Sequence, residues 1–540
     1  MTPARHHTRS TSRRTRTSRV TSAKEQSPRS ATTRSGIAVP FGLTVALVLL
    51  LFVPRVHANT TLTISLGGTA LALFLWQANI LARAKRNRIV HSLEVVLRPQ
   101  HYVQAAVQLS VFLYWGWYWR PVYDHASLLL AQLLFAYAFD MLLAWSRRAQ
   151  YTVGFGPFPI IFSTNLFLWF RDDWFFLQFL MIAVGFLGKE YVRWLREGRY
   201  VHIFNPSAFS LGLFSLVLIA TSSTHLTWGE EIATTLSLAP HIYLFLFLAG
   251  LIVMYCFEIT LVAGVAAMML FGLSAVYAAA TGVPYFIDSE IPTAVFLGLH
   301  LLVTDPSTSP RTQLGKILFG MIYGLGVFCL YALLGSLGVP TFYDKLLAVP
   351  LLNLSVRWID RLVAVVQSQR AVSILNGQLI HSNANVPHIA VWVVMFVAMT
   401  ALGATDGRHR GDSVPFWDRA CLEGRRNACT QLLQIEASYC ADASAWSCNE
   451  LGRHYADGKI VQADKELALE FFGRACELRF QPACLNLLTR TSTFQAHPKS
   501  LDLRLLLREG GPNLLDMPEG KLQIRACEHA WDFACGEDLQ

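Results

Sequence analysis

Charge is scarce in this sequence. Only 15% of its 540 residues are Asp, Glu, Lys or Arg, while 53% are hydrophobic. So much apolar surface cannot be hidden in one soluble core, and the composition is that of a polytopic membrane protein. Motifs for self-contained cofactor chemistry are missing too. There is no G-x-G-x-x-G fingerprint, no P-loop, no H-E-x-x-H and no C-x-x-C pair. A nicotinamide or iron–sulfur centre serving this chain must therefore come from a partner. Cysteine is nearly absent before residue 420. Cys256 and Cys329 alone precede it, far apart in apolar runs where small core packing is the expected role. Acidic residues are nearly absent from residues 1–35, which hold nine Arg or Lys against Glu25. That arm is rich in Ser and Thr and is expected to be disordered. Its charge suits nucleic acid, anionic lipid or a cytoplasmic topology signal. The apolar span that follows directly favours the last, and no nucleic-acid partner is expected.

What is abundant is apolar length. Long apolar segments fall near 36–54, 60–82, 102–119, 127–146, 206–222, 239–257, 260–281, 317–337 and 387–404. Each approaches the roughly 20 residues that cross a hydrocarbon core. Shorter runs at 157–170, 174–188, 291–303 and 345–360 read as broken or re-entrant helices, which need protein or a water-filled cavity around their ends. Basic segments at 83–98, 189–199 and 311–316 are expected to face the cytoplasm with the N-terminal arm. Segment 223–240 carries Glu230 and Glu231 but no Lys or Arg and is expected to face outward. By this alternation the last span delivers residues 405–540 to the outside.

The cysteines test that topology independently. Eight lie beyond residue 420 as four pairs: Cys421 with Cys429, Cys440 with Cys448, Cys476 with Cys484, and Cys527 with Cys535. Each pair is spaced C-x7-C. On one continuous helix that separation is roughly 12 Å, whereas a disulfide needs Cα atoms within about 7 Å. If the pairs bridge, the chain must turn inside each one. Zinc pairs usually sit closer in sequence, so a disulfide framework in an oxidising compartment is the expectation, and no metal site. Cys440 to Cys476 and Cys448 to Cys484 both span 36 residues, a period that reads as an α-solenoid of helix pairs broken at Ala456-Asp457-Gly458. The pattern L-G-x-x-Y-x-x-G, then V-x-x-D-x-x-x-A, then A-C-x7-C resembles the cysteine-rich SEL-like repeats, mostly protein-interaction modules. The match is specific for 448–484 and partial elsewhere.

In the apolar part, Asn205-Pro206-Ser207 opens a helix after a basic segment, since Asn caps free N–H groups and Pro suits the first turn. Asp305-Pro306-Ser307-Thr308 closes a short apolar run and is expected to cap in the same way. Polar caps at a helix start also make a local anion site. "HIFNPSAFSLGL", followed a hundred residues later by "LLVTDPSTSPRT", resembles the NqrB/RnfD family of membrane electron-transfer subunits, and most nearly its divergent UnbU-like branch. F-N-P-[AS] falls on Phe204, Asn205, Pro206 and Ser207. T-D-P-x-[TS]-[ST]-P falls on Thr304, Asp305, Pro306, Thr308, Ser309 and Pro310. "PFPIIFSTNLFLWF" and "KEYVRWLREGR" resemble the stretch that precedes F-N-P in that family. The resemblance covers roughly 85–340. It implies two related helical halves, flavin in the membrane domain, and membership of a complex that passes electrons while moving sodium or protons.

One departure matters. Family members attach FMN to a Thr in an S-G-A-T-like motif, whereas here the outward loop reads "STHLTWGEEIATTLSLAP". Thr234 and Thr235 sit near the expected place, but the Ser-Gly-Ala approach is missing and Glu231 opposes a phosphate. Covalent FMN is not expected. A noncovalent flavin, FMN or riboflavin, would use Asn205, Pro206, Ser207, Thr304, Asp305, Ser307 and Thr308.

Among other polar residues in apolar runs, Asp140 marks an ion path or snorkels to the interface. Ser163, Thr164 and Asn165 line a cavity or bond to their own helix, and His300 is a possible proton carrier. The sequence thus predicts an all-α protein: a disordered cytoplasmic arm (1–35), a polytopic membrane bundle with broken or re-entrant helices (36–404), and a periplasmic solenoid of disulfide-linked helix pairs (405–540). Its expected place is a bacterial inner membrane. Its expected partners are membrane lipid, other electron-transfer subunits and a periplasmic protein for the repeats. The alternative is a non-redox transporter or anchor that presents the repeats as a scaffold. No self-contained catalytic site is visible.

Overall fold

The computed structural model describes residues 36 and 38–489, apart from 197, 288, 304, 368–384, 406–408 and 442. The basic arm and Thr304 lie outside the described residues. So do Cys527 and Cys535, the fourth expected bridge.

Each long apolar segment is a helix: Ala38–Leu49, Thr60–Asn87, Pro99–Tyr118, Ala126–Trp145, Pro206–Ala220, Ile242–Phe257, Thr260–Thr281, Gln313–Ser336 and Asn385–Ala401. Four of them, Thr60–Asn87, Ala126–Trp145, Thr260–Thr281 and Gln313–Ser336, are long and apolar enough to cross a membrane. A fifth crossing arises if Gly229–Leu238 and Ile242–Phe257, bent by 103°, count as one. Small polar residues set several starts by accepting from free backbone N–H groups. Asn59 accepts from Leu62 N (3.0 Å) and Thr312 from Gly315 N (3.0 Å).

The four shorter apolar runs are of two kinds. Runs 174–188 and 345–360 form continuous helices, Phe176–Tyr191 and Asp344–Gln367. Both correct the expectation of a broken element, the second most clearly. It is 24 residues long and carries Pro350 inside, and Gly212 gives that proline room, since a Cβ there would lie 2.6 Å from Pro350 Cγ. Asp344 and Arg361 bound the apolar run, and Lys345, Arg357 and Asp360 interrupt it.

Runs 157–170 and 291–303 do break. Each is a nine-residue helix, Pro157–Asn165 and Thr293–Leu301, that ends in a turn. The backbone freed after Asn165 is satisfied locally. Phe170 N donates to Gln178 Oε1 (3.0 Å), Trp228 N to the Trp169 carbonyl (2.9 Å) and Arg171 N to the Leu226 carbonyl (2.9 Å). After Leu301, Asn205 Nδ2 donates to the Leu302 carbonyl (3.1 Å).

The all-α expectation needs a small correction. Two ribbons of four-residue strands occur: Ser92–Val95 parallel to Gln150–Val153, and Arg193–Arg196 antiparallel to Arg199–His202. Both lie in or beside the basic segments, where the chain leaves its apolar runs and must pair its backbone otherwise.

Beyond residue 410 the chain forms helices Val414–Leu422, Ala428–Ala441, Ala445–Asp457, Lys465–Glu477 and Gln481–Thr489. Cys421–Cys429, Cys440–Cys448 and Cys476–Cys484 are disulfides with Cα separations of 4.6, 4.7 and 4.8 Å. Each ties the end of one helix to the start of the next, so the chain turns inside all three of these C-x7-C pairs. The expected framework of four bridges is therefore a framework of three among the described residues, since Cys527 and Cys535 fall beyond Thr489. Gly458 ends its helix at φ 64°, a conformation that favours glycine. Asp464 caps the helix that follows. The tail rests on the apolar body. Val283 joins the tail's core, and Arg425 Nη1 donates to the Gly282 carbonyl (2.6 Å).

The tail also buries charge. Glu436 pairs with His454 (3.2 Å) and Glu450 with Arg453 (2.7 Å). Burial pushes Glu450 up to about 8 despite Arg453. Burial likewise raises Glu436 more than His454 lowers it. Burial alone would lower His454, but Glu436 holds it above its ordinary value. All three shifts have one sign. Between the unfolded and folded values the native tail binds more protons than the unfolded chain, so stability falls as pH rises. The urea midpoint of the tail, read by footprinting at Trp446, is expected to fall as pH rises from the ordinary carboxylate range through about 8. A midpoint that rises over that window would contradict this.

Candidate functional site

Two places in the apolar body gather polar groups. The first is where the nine-residue helices meet. Ser163 Oγ lies 3.5 Å from the Leu301 carbonyl, so both helices bring their C-terminal ends to one point. Helix C-terminal carbonyls carry partial negative charge, and although those of Phe162, Thr164 and Gly298 accept from the turns that follow, two such ends make an electronegative centre.

A network of amides surrounds it. Gln108 Nε2 donates to Ser163 Oγ (2.7 Å). Asn165 Nδ2 donates to Gln132 Oε1 (2.7 Å), and Gln132 Nε2 donates back to Asn165 Oδ1 (3.0 Å). His125 Nε2 lies 3.1 Å from the same oxygen, with its ring stacked on Trp169 at 4.4 Å. Gln178 Nε2 donates to Gln132 Oε1 (3.0 Å). All these side chains are buried. Gln108 Oε1 and Tyr323 Oη are buried with no hydrogen-bond partner among the described residues. Tyr323 stands beside Gly298, where a Cβ would lie 3.5 Å from its oxygen.

The sequence had singled out Ser163, Thr164 and Asn165, and their roles divide. Ser163 and Asn165 join the network, while Thr164 donates to the Ile160 carbonyl of its own helix (2.8 Å). His300 is enclosed, with Nδ1 on the Phe296 carbonyl and its ring filling the space left by Gly250. Gln108, Gln132, Gln178 and His125 were missed. Their signal was a lone polar residue inside or beside an apolar run, as in "AQLLFAYAF" and "FFLQFLMI".

The second place joins the two Pro-Ser triplets at the basic end. Asn205 Oδ1 accepts from Ser207 N (3.1 Å) and Ala208 N (3.4 Å), so it caps Pro206–Ala220 as expected. Asp305 does not cap a helix, which corrects the sequence reading. Its Oδ1 accepts from Ser307 N (2.9 Å) and Ser307 Oγ (2.6 Å) in a local turn. The next helix starts at Gln313 with Thr312 as its cap, because Pro310 and the turn intervene.

The triplets meet through residues the sequence reading did not name. Asn353 Oδ1 accepts from Asn205 N (3.2 Å), and its Nδ2 donates to the Thr308 carbonyl (3.4 Å). His202 Nε2 lies 2.8 Å from Ser307 Oγ and 3.5 Å from Asp305 Oδ2. Burial alone would raise the Asp305 carboxyl. The His202 hydrogen bond and the two Ser307 donors outweigh that and hold it below the usual carboxylate value.

The remaining named residues lie apart from both places. Asp140 Oδ2 accepts from Tyr151 Oη (2.9 Å) beside the parallel ribbon. Thr234 Oγ1 and Thr235 Oγ1 donate to the Glu230 and Glu231 carbonyls of their own short helix (3.0 and 2.5 Å). Glu231 is paired with Arg171 (2.5 Å).

Comparison with family models, curated proteins and solved structures gives no match. The functional reading therefore rests on geometry and on the motifs themselves. The second place does not fit a flavin phosphate. The Ser207 hydroxyl is spent on Asn205 Oδ1 (2.8 Å) and the Ser307 hydroxyl on Asp305, and the Asp305 carboxylate repels an anion.

Proposed function

We propose that this chain is an integral membrane transport subunit on the NqrB/RnfD plan, which passes a cation through the crossing of its two nine-residue helices. The carrying observation is the approach of Ser163 to the Leu301 carbonyl, with helix C-termini and Gln108 Oε1 at the same point. Broken helices whose C-terminal ends and unwound carbonyls face a shared centre are suited to binding cations. In this reading the bundle sits in a bacterial inner membrane with its basic end in the cytoplasm, and the cysteine-bridged tail faces the periplasm to dock a protein partner.

The test is reconstitution in lipid vesicles with an imposed potential and dyes for sodium, potassium and protons. Flux of one cation is expected, falling roughly tenfold in Gln108→Leu, the loss of one polar contact of about 1.4 kcal/mol. No flux of any cation would overturn the reading.

A second reading, a redox subunit with a noncovalent flavin, is favoured by the convergence of the F-N-P and D-P-S segments. A neutral riboflavin avoids the repulsion that Asp305 imposes on FMN. The purified protein would then show a flavin absorbance band that is released on acid denaturation. A colourless preparation from flavin-replete cells would remove this reading.

A further inference from the structure

We propose that His202 and Asp305, joined through Ser307, form a proton-exchange site at the basic mouth of the path, so that the cation moved is the proton; this rests on the transport reading above.

The geometry is that of a relay. Ser307 Oγ touches both partners, at 2.8 Å from His202 Nε2 and 2.6 Å from Asp305 Oδ1. A hydroxyl can accept one proton while giving up another. When the imidazolium passes its Nε2 proton to Ser307 Oγ, the Ser307 proton moves to Asp305 Oδ1. One N–H bond breaks, one carboxyl O–H bond forms, and the hydroxyl is restored. No other reactant is needed. Imidazole is also the side chain whose charge ordinarily changes near neutral pH, and the Asp305 carboxylate gives it a fixed counter-charge.

Position links this site to the path. Asp305 follows the helix Thr293–Leu301 by four residues, and Asn205 Nδ2 holds the Leu302 carbonyl just beyond that helix. The strand Arg199–His202 brings His202 to it across 105 residues of sequence.

The surrounding charge favours a proton over a metal cation. Asp305 acts electrostatically on His101, as do Arg98 at the start of the same helix and Lys189 of Phe176–Tyr191. Arg196 Nη1 donates to the Ser309 carbonyl (3.2 Å), with Asp360 and Arg311 beside it. A metal ion would have to rest among these cations, with Asp305 to hold it and Asp360 already paired with Arg196 (2.9 Å). No group of three or more metal-ligating side chains occurs among the described residues. A proton travels on hydrogen bonds and needs no such shell.

The experiment uses the full chain in vesicles of phosphatidylethanolamine and phosphatidylglycerol, with a potassium diffusion potential and a trapped pH dye. Proton uptake is expected in the wild type. It should fall at least tenfold in His202→Gln and Asp305→Asn, and less in Ser307→Ala. Asparagine keeps the acceptor oxygen that forms the local turn, which separates charge from folding.

Histidine NMR on the ¹⁵N-labelled protein reads the site without transport. The ring-nitrogen resonance lost in His202→Gln should move in both Asp305→Asn and Ser307→Ala, which remove its counter-charge and its hydrogen-bond partner. Sodium uptake with unchanged proton permeability, or proton uptake unaffected in His202→Gln, would overturn the proton site and leave the transport reading standing. Absence of all flux would overturn the transport reading. In that case a His202 resonance that moves in Asp305→Asn retains the coupled site, and one that does not move overturns it as well.

Discussion

Gly320→Leu is expected to abolish accumulation of the folded protein. Gly320 and Gly324 lie one turn apart on Gln313–Ser336, facing Thr260–Thr281. A Cβ at Gly320 would lie 2.6 Å from the Val262 carbonyl oxygen, and one at Gly324 would lie 2.9 Å from that of Ala266. Both obstacles are backbone, which cannot rotate aside as a side chain can. The helices would have to separate, giving up dispersion contacts along their whole length. Overpacking commonly costs about 1–3 kcal/mol, and a wedge against backbone is expected to exceed about 3 kcal/mol.

Within a membrane such close approach drives helix pairing, and glycines four apart are its signature. The check is the monodisperse fraction after detergent extraction, by size exclusion. Gly326→Leu is the control, because nothing lies within 4 Å of a Cβ there. Equal yields for the two variants would show that the helices do not pack as described.

The second large effect concerns the tail. Six thiols, at Cys421, Cys429, Cys440, Cys448, Cys476 and Cys484, are expected to be unreactive in the native protein and to appear only after reduction. Each bridge closes a short loop across a separation of 8 residues, which the loop-entropy model values at about 2–3 kcal/mol. Three together approach about 7 kcal/mol, comparable with the whole stability of a small domain. Reduction is therefore expected to unfold the tail, not merely to loosen it. Quantitative alkylation with and without reductant, mapped by mass spectrometry, measures the thiols. The same map reads Cys527 and Cys535, whose pairing rests on their C-x7-C spacing alone. Protease sensitivity of the tail after reduction measures the unfolding. Free thiols at all six positions in native protein would remove both the framework and the argument for an oxidising compartment.

Much of this was legible one stretch at a time. The long apolar runs became helices because length and polarity are local properties. The first three C-x7-C pairs became helix-end bridges because disulfide geometry forbids the alternative. Asn205 capped its helix because an Asn-Pro pair carries its own instructions. Two local readings went astray for identifiable reasons. The charges of Asp344–Gln367 hid a continuous helix by interrupting its hydrophobicity. The D-P-S turn looked like a cap because Asp caps helices as readily as it forms local turns, and only Pro310 and Thr312 downstream decide which.

The amino-acid sequence by itself determined that the chain is mostly helical and apolar, where its long apolar helices lie, and which cysteines pair among those described. The tertiary structure alone decided what the polar residues touch. It set Ser163 against Leu301 across 138 residues, His202 against Ser307 across 105, and Asn205 against Asn353 across 148. A hydrogen bond depends on angstroms between side chains, and apolar periodicity says only that a helix is buried, not which neighbour its one polar residue will meet.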